Sequence, residues 1–97
     1  MAYPTSLSTR QIDAHLRYLA EECRELPFVR GKWEQMDAVE REAFHLEWFG
    51  QAEIFLRDLR ELREAGRLSP EQRAKLDRIV ACVEQHRDFL GQVAAEG

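Results

Sequence analysis

The 97-residue chain has little of what breaks, staples or spans. Its five glycines and three prolines are too few for a collagen-like or low-complexity chain. With 44% hydrophobic and 33% charged residues it has enough apolar side chain for one buried core. The longest unbroken apolar run is Ile79–Val83, whereas a membrane-spanning helix needs roughly 18 or more such residues. Met1 to Leu7 lacks a signal peptide's hydrophobic stretch, so a cytoplasmic protein with no membrane association is expected. There are two cysteines, Cys23 and Cys82, and no C-x-x-C, which removes zinc-ribbon and thioredoxin chemistry. Serine-nucleophile motifs, phosphate-cradling glycine loops and His-Glu-x-x-His are absent, so no catalytic activity is expected. β-branched residues are scarce and no useful stretch alternates apolar with polar, which excludes strands.

What is present is helix. Ser8-Thr9-Arg10-Gln11 reads as a capping box, with the Ser8 hydroxyl meeting a free N–H and Gln11 reaching back. Ile12, Leu16, Leu19, Cys23 and Leu26 follow at helical spacing, and Pro27, which lacks an N–H, closes a first helix of about 9–26. After a connector containing Gly31, only Gly50 interrupts a long second helix of about 33–65. Ser69-Pro70-Glu71-Gln72 opens a third helix of about 70–94, with Leu76, Ile79, Val83, His86, Leu90 and Val93 as its stripe. The expected fold is a single all-α domain spanning 1–97. It is an antiparallel three-helix bundle with a short first helix and a long hairpin of the second and third.

Length drives the next expectation. At 1.5 Å per residue the second helix is about 48 Å long and the first about 27 Å, which leaves an overhang. The overhang would expose Phe55, Leu59, Leu62 and Leu76, so these are expected to form a homodimer interface completing a four-helix arrangement. Met36, Val39 and Leu46 form a second stripe, assigned to a partner or a second contact. The same geometry separates Cys23 from Cys82 by about 25 Å, beyond disulfide reach.

The net charge of −4 argues against coating nucleic acid or an anionic membrane. Its distribution is uneven. Residues 33–53 hold six acids and one base, and residues 57–78 seven bases and five acids. The bases there alternate with acids that repel phosphate, and pairs such as Glu53 with Arg57 and Arg60 with Glu64 are expected to lace exposed faces. Trp33, Phe44, Trp48, Phe49 and Phe55 concentrate aromatic surface on the second helix, as core and interface.

His15, His45 and His86 fall one on each expected helix, at nearly one level. Glu42 and His45 form a Glu-x-x-His pair, the spacing by which di-iron carboxylate bundles present two ligands to one metal. In this motif the chain resembles half-bundle ferritin-like proteins, which assemble a site at a two-fold axis. The resemblance implies a carboxylate–histidine centre for Fe, Zn or Mn drawn from Glu42, His45, His15 and His86. The primary expectation is a small interaction or regulatory module that binds another macromolecule without a cofactor, and the metal-binding protein is the alternative.

Overall fold

The computed structural model describes residues 7–96; the leading residues 1–6, on which the signal-peptide reading rests, lie outside them. Every regular element among the described residues is helical. They are α1 (Thr9–Lys32), a 3₁₀ turn (Trp33–Gln35), α2 (Ala38–Glu47), a π turn (Trp48–Ala52), α3 (Glu53–Glu64), α4 (Pro70–Gln85) and α5 (Arg87–Glu96). No described helix is long and apolar enough to cross a membrane.

Local chemistry sets the starts. Ser8 and Gln11 cap each other's backbone at 3.2 and 2.9 Å, and Ser69 and Gln72 do so at 3.1 and 2.9 Å with Pro70 in the first turn. A third box, Asp37 with Glu40, opens α2 at 2.8 and 2.9 Å. The second helix therefore begins five residues later than its expected start at 33, because Trp33–Gln35 turns as 3₁₀ and Met36 is extended. The π turn carries the chain through Gly50 from α2 into α3, so the rod is neither smooth nor folded back at that glycine. At its far end Gly66, with φ +72°, completes a Schellman close. Arg67 N–H donates to the Leu62 carbonyl at 2.9 Å and Gly66 N–H to the Arg63 carbonyl at 3.0 Å.

Pro27 does not end α1, which continues through it to Lys32. Proline removes only its own donor, which would have reached the carbonyl of Cys23 four residues back. That carbonyl accepts instead from the Cys82 thiol on α4, with the sulfur 3.7 Å away. Past the proline, Trp33 continues the buried face of Leu19 and Leu26, so packing favours keeping the helix. Two lengths change as a result. The 24-residue α1 is about 36 Å long, and the α2–α3 rod is about 40 Å. The overhang that motivated a hairpin interface is absent.

α1 runs antiparallel to the rod, since His15 meets Phe55 while Tyr18 reaches back to Glu47. It runs parallel to α4, since Asp13 meets Gln72 and Cys23 meets Cys82. Arg63 and Asp77, at 2.6 Å, tie α3 to α4. The expected third helix is interrupted at His86, whose backbone leaves the helical region (φ −109°, ψ 20°). Arg30 holds this break, with one guanidinium nitrogen 3.2 Å from His86 Nδ1 and another 2.8 Å from Asp88. Arginine only donates, so His86 Nδ1 is the acceptor in this contact. α5 then lies against the far end of the rod. There Trp33, Phe44 and Phe89 meet with ring centroids 5.3–6.2 Å apart. Arg41 covers Trp33 at 4.9 Å and donates to its carbonyl, which also accepts the Met36 N–H at 3.2 Å, so the turn after α1 is held from both chain and side chain.

The core runs through all of this: Leu16, Leu19, Leu26, Leu59, Leu76 and Val93 are fully buried. Leu59, Leu62 and Leu76, expected at a dimer interface, are inside one chain, and Phe55 is half-buried against His15 and Tyr18. Once α1 extends over the full rod, it covers the surface that a second copy was expected to cover. Neither expected surface pair forms among the described residues; Arg57 approaches Asp58 at 3.5 Å instead.

Candidate functional site

The metal candidates disperse. His15 stacks on Phe55 with ring centroids 3.8 Å apart, His45 leans on Phe49 at 5.0 Å, and His86 sits with Arg30 at the α4–α5 break. Among the described residues no three His, Cys, Asp or Glu side chains gather where they would hold a metal ion. The bundle levels that brought the histidines together assumed a first helix ending at Pro27, and the chain folds otherwise.

His15 has a structural role. Its Nδ1 is buried without a partner, and burial holds its pKa below the ordinary 6.5, partly offset by the charge of Asp58. Nearby, Tyr18 donates to the Glu47 carboxylate. Burial first, then that bond and the charges of Glu22 and Glu47, push its ionisation upward. Glu22 is also raised, by burial and then by Glu47 and Glu25. A histidine kept neutral by folding protonates more readily when unfolded. Its contribution is therefore complete above about pH 6.5 and is lost as pH falls from there toward the depressed folded value. Chemical denaturation at about pH 7.5 and about pH 5.5 is expected to show a larger loss for the wild type than for His15→Phe, which keeps the stack without the proton. Equal losses would remove His15 as the cause. Glu22 acts with the opposite sign, since its raised pKa disfavours the folded state as pH rises through it.

The expected partner stripe is on the surface. Val39 is 77% and Leu46 61% exposed, and Met36 is half-buried. Met36 and Leu46 line a hollow of about 570 Å³ between α2 and α5, together with Glu42, His45 and Arg41.

A second groove, of about 600 Å³, lies between the parallel helices α1 and α4. Its apolar lining is Leu16, Ala20, Cys23 and Ile79, of which Leu16 and Ile79 belong to the core. Its charged lining is Arg17 and Arg24 from α1 and Lys75 and Arg78 from α4, all exposed. The helical repeat explains the arrangement. Arg17 and Arg24 are seven residues apart, two turns on one side of the buried stripe, and Lys75 and Arg78 flank Leu76 and Ile79 on the facing helix. Arg24 is paired with Glu21 at 2.8 Å. Arg17, Lys75 and Arg78 have no carboxylate within 4 Å among the described residues. The one acid in the lining, Asp13, accepts from the Gln72 amide at 3.0 Å. A chain of net charge −4 therefore carries a basic groove with an apolar lining. The sequence reading missed these four cations, although Arg10, Arg17 and Arg24 recur every seven residues. No protein-family model, no curated protein and no solved structure matches the chain.

Proposed function

We propose that the protein is a small cytoplasmic, non-catalytic helical module with a regulatory or scaffolding role, which docks an acidic amphipathic helix of a partner protein in the α1–α4 groove. The observation that carries this reading is the groove itself, with its apolar lining and three cations that have no carboxylate within 4 Å among the described residues. Two parallel helices offer a third helix a lengthwise slot. Arg17 and Arg24 are separated by about 10 Å along α1, which matches two turns of an incoming helix with apolar anchors at i, i+3 or i+4 and i+7. Acidic flanks on that helix would face the four cations, and such complementarity raises the rate and selectivity of docking.

The test is a titration with a synthetic helical peptide carrying leucines on one face and glutamates on both flanks. It is expected to bind, to weaken with added salt, and to lose roughly tenfold or more in affinity against the Arg17→Glu/Arg78→Glu double variant. A lysine-flanked version is expected not to bind. Equal binding of both peptides, or indifference to the charge reversal, would overturn the groove as the docking site.

A homodimer remains a second reading because of the exposed apolar pair on α2. Val39 and Leu46 stand beside the exposed acids Glu40 and Glu42, which is the chemistry the groove would accept. In that reading the occupant is α2 of a second copy. Native mass spectrometry over a concentration series then shows a dimer that both the groove variant and Val39→Asp/Leu46→Asp abolish.

A further inference from the structure

The two cysteines meet between α1 and α4. Cys23 Sγ lies 3.9 Å from the Ile79 carbonyl and Cys82 Sγ 3.7 Å from the Cys23 carbonyl, so each thiol donates to backbone of the facing helix within one turn of the other. The placement follows from two features of the chain. Pro27 leaves the Cys23 carbonyl without its helical donor, which gives the Cys82 thiol an acceptor. The parallel register is also steady, because Asp13 with Gln72 and Cys23 with Cys82 are both 59 residues apart. The pair is therefore held in place over three turns of α1. Both side chains are half-buried, and Cys23 is part of the groove lining, so a small reagent reaches it from solvent.

We propose that Cys23 and Cys82 form a modification site, at which a hydroperoxide converts the thiol pair to an intramolecular disulfide tying α1 to α4 beneath the groove. The thiolate of Cys23 attacks one peroxide oxygen. An S–O bond forms, the O–O bond breaks, and the departing hydroxide takes up a proton as water, leaving a sulfenic acid. The Cys82 sulfur then attacks the Cys23 sulfur. The S–S bond forms as the S–O bond breaks, and hydroxide leaves as water with the Cys82 proton. Two thiols and one hydrogen peroxide give one disulfide and two waters, and the two electrons lost by sulfur reduce the peroxide oxygens. Burial, then the bond to Cys82 and the charges of Cys82 and Glu22, push the Cys23 thiol up to about 12. Little thiolate exists at neutral pH, so the conversion is slow.

The test treats the full chain with hydrogen peroxide, alkylates remaining thiols and reads intact and peptide masses. Expected is a monomer about 2 Da lighter that resists alkylation, contains a Cys23–Cys82 cross-linked peptide and reverts with a reductant. The oxidised chain is expected to melt roughly 10 °C higher, because the bridge closes a long loop in the unfolded state. Cys23→Ala and Cys82→Ala, each checked for helical content by circular dichroism, abolish the cross-link. Cysteines that gain oxygen without a cross-linked peptide, or disulfides that form only between chains, would overturn the proposal. Weakened or strengthened binding of the acidic peptide after oxidation rests on the docking reading. If the cross-link forms and peptide binding never occurs in either state, the groove reading fails and the modification site stands.

Discussion

Leu59→Ala is expected to destabilise the folded chain by about 3–4 kcal/mol, independent of protein concentration. Leu59 has no exposed surface, and Leu56 and Leu62 flank it on the same buried face of α3. A 12-residue helix does not persist alone in water, so this face is what holds α3 against α1 and α4. Removing the isobutyl group loses its transfer free energy and leaves a cavity between three backbones that cannot all close on it. For a domain of this size the loss lowers the melting temperature by about 12 °C or more. Leu46→Ala, the same truncation at a leucine that is 61% exposed, is expected to change stability by less than about 0.5 kcal/mol. Thermal and urea unfolding at two widely spaced concentrations checks both. Were Leu59 part of a dimer interface, its truncation would leave the monomer folded and its effect would fade on dilution.

The contrast between these two leucines shows where sequence reading succeeded and failed. The caps were legible, because Ser8 with Gln11 and Ser69 with Gln72 act through bonds made within four residues. Asp37 with Glu40 is the same device, hidden in the sequence because Met36 and Val39 read as one continuous stripe. Pro27 is where the sequence expectation and the structure differ most. Its local effect is real, but its cost depends on whether the orphaned Cys23 carbonyl finds another donor, and that donor is 59 residues away. Ending α1 there produced the overhang, moved Leu59, Leu62 and Leu76 from core to interface, and pulled the cysteines apart. The break at His86 had no glycine or proline to announce it; Arg30, a distant residue, holds it. The basic groove was invisible for the same reason, since its cations come from two helices whose register depends on α1 continuing past Pro27.

Phe89→Ala is expected to cost about 3–5 kcal/mol and to release α5 before the rest of the bundle. α5 has 10 residues, too few to stay helical without packing. Phe89, Leu90 and Val93 supply that packing, and Phe89 is the largest of them, edge-on to Trp33 at 5.3 Å and 6.2 Å from Phe44. Its loss therefore opens the aromatic cluster as well as the helix. The polar ties at this end are the exposed pairs of Arg30 with Asp88 and Arg41 with Glu96, which solvent screens and which contribute little. Hydrogen exchange on the variant should show lost protection across Arg87–Glu96, with smaller losses in α3 and α4. Phe89→Leu, which refills part of the volume, should restore much of the protection. Equal losses in α1, α3 and α5 would instead mean that the aromatic end and the leucine core unfold as one unit, with Trp33 joining them through α1.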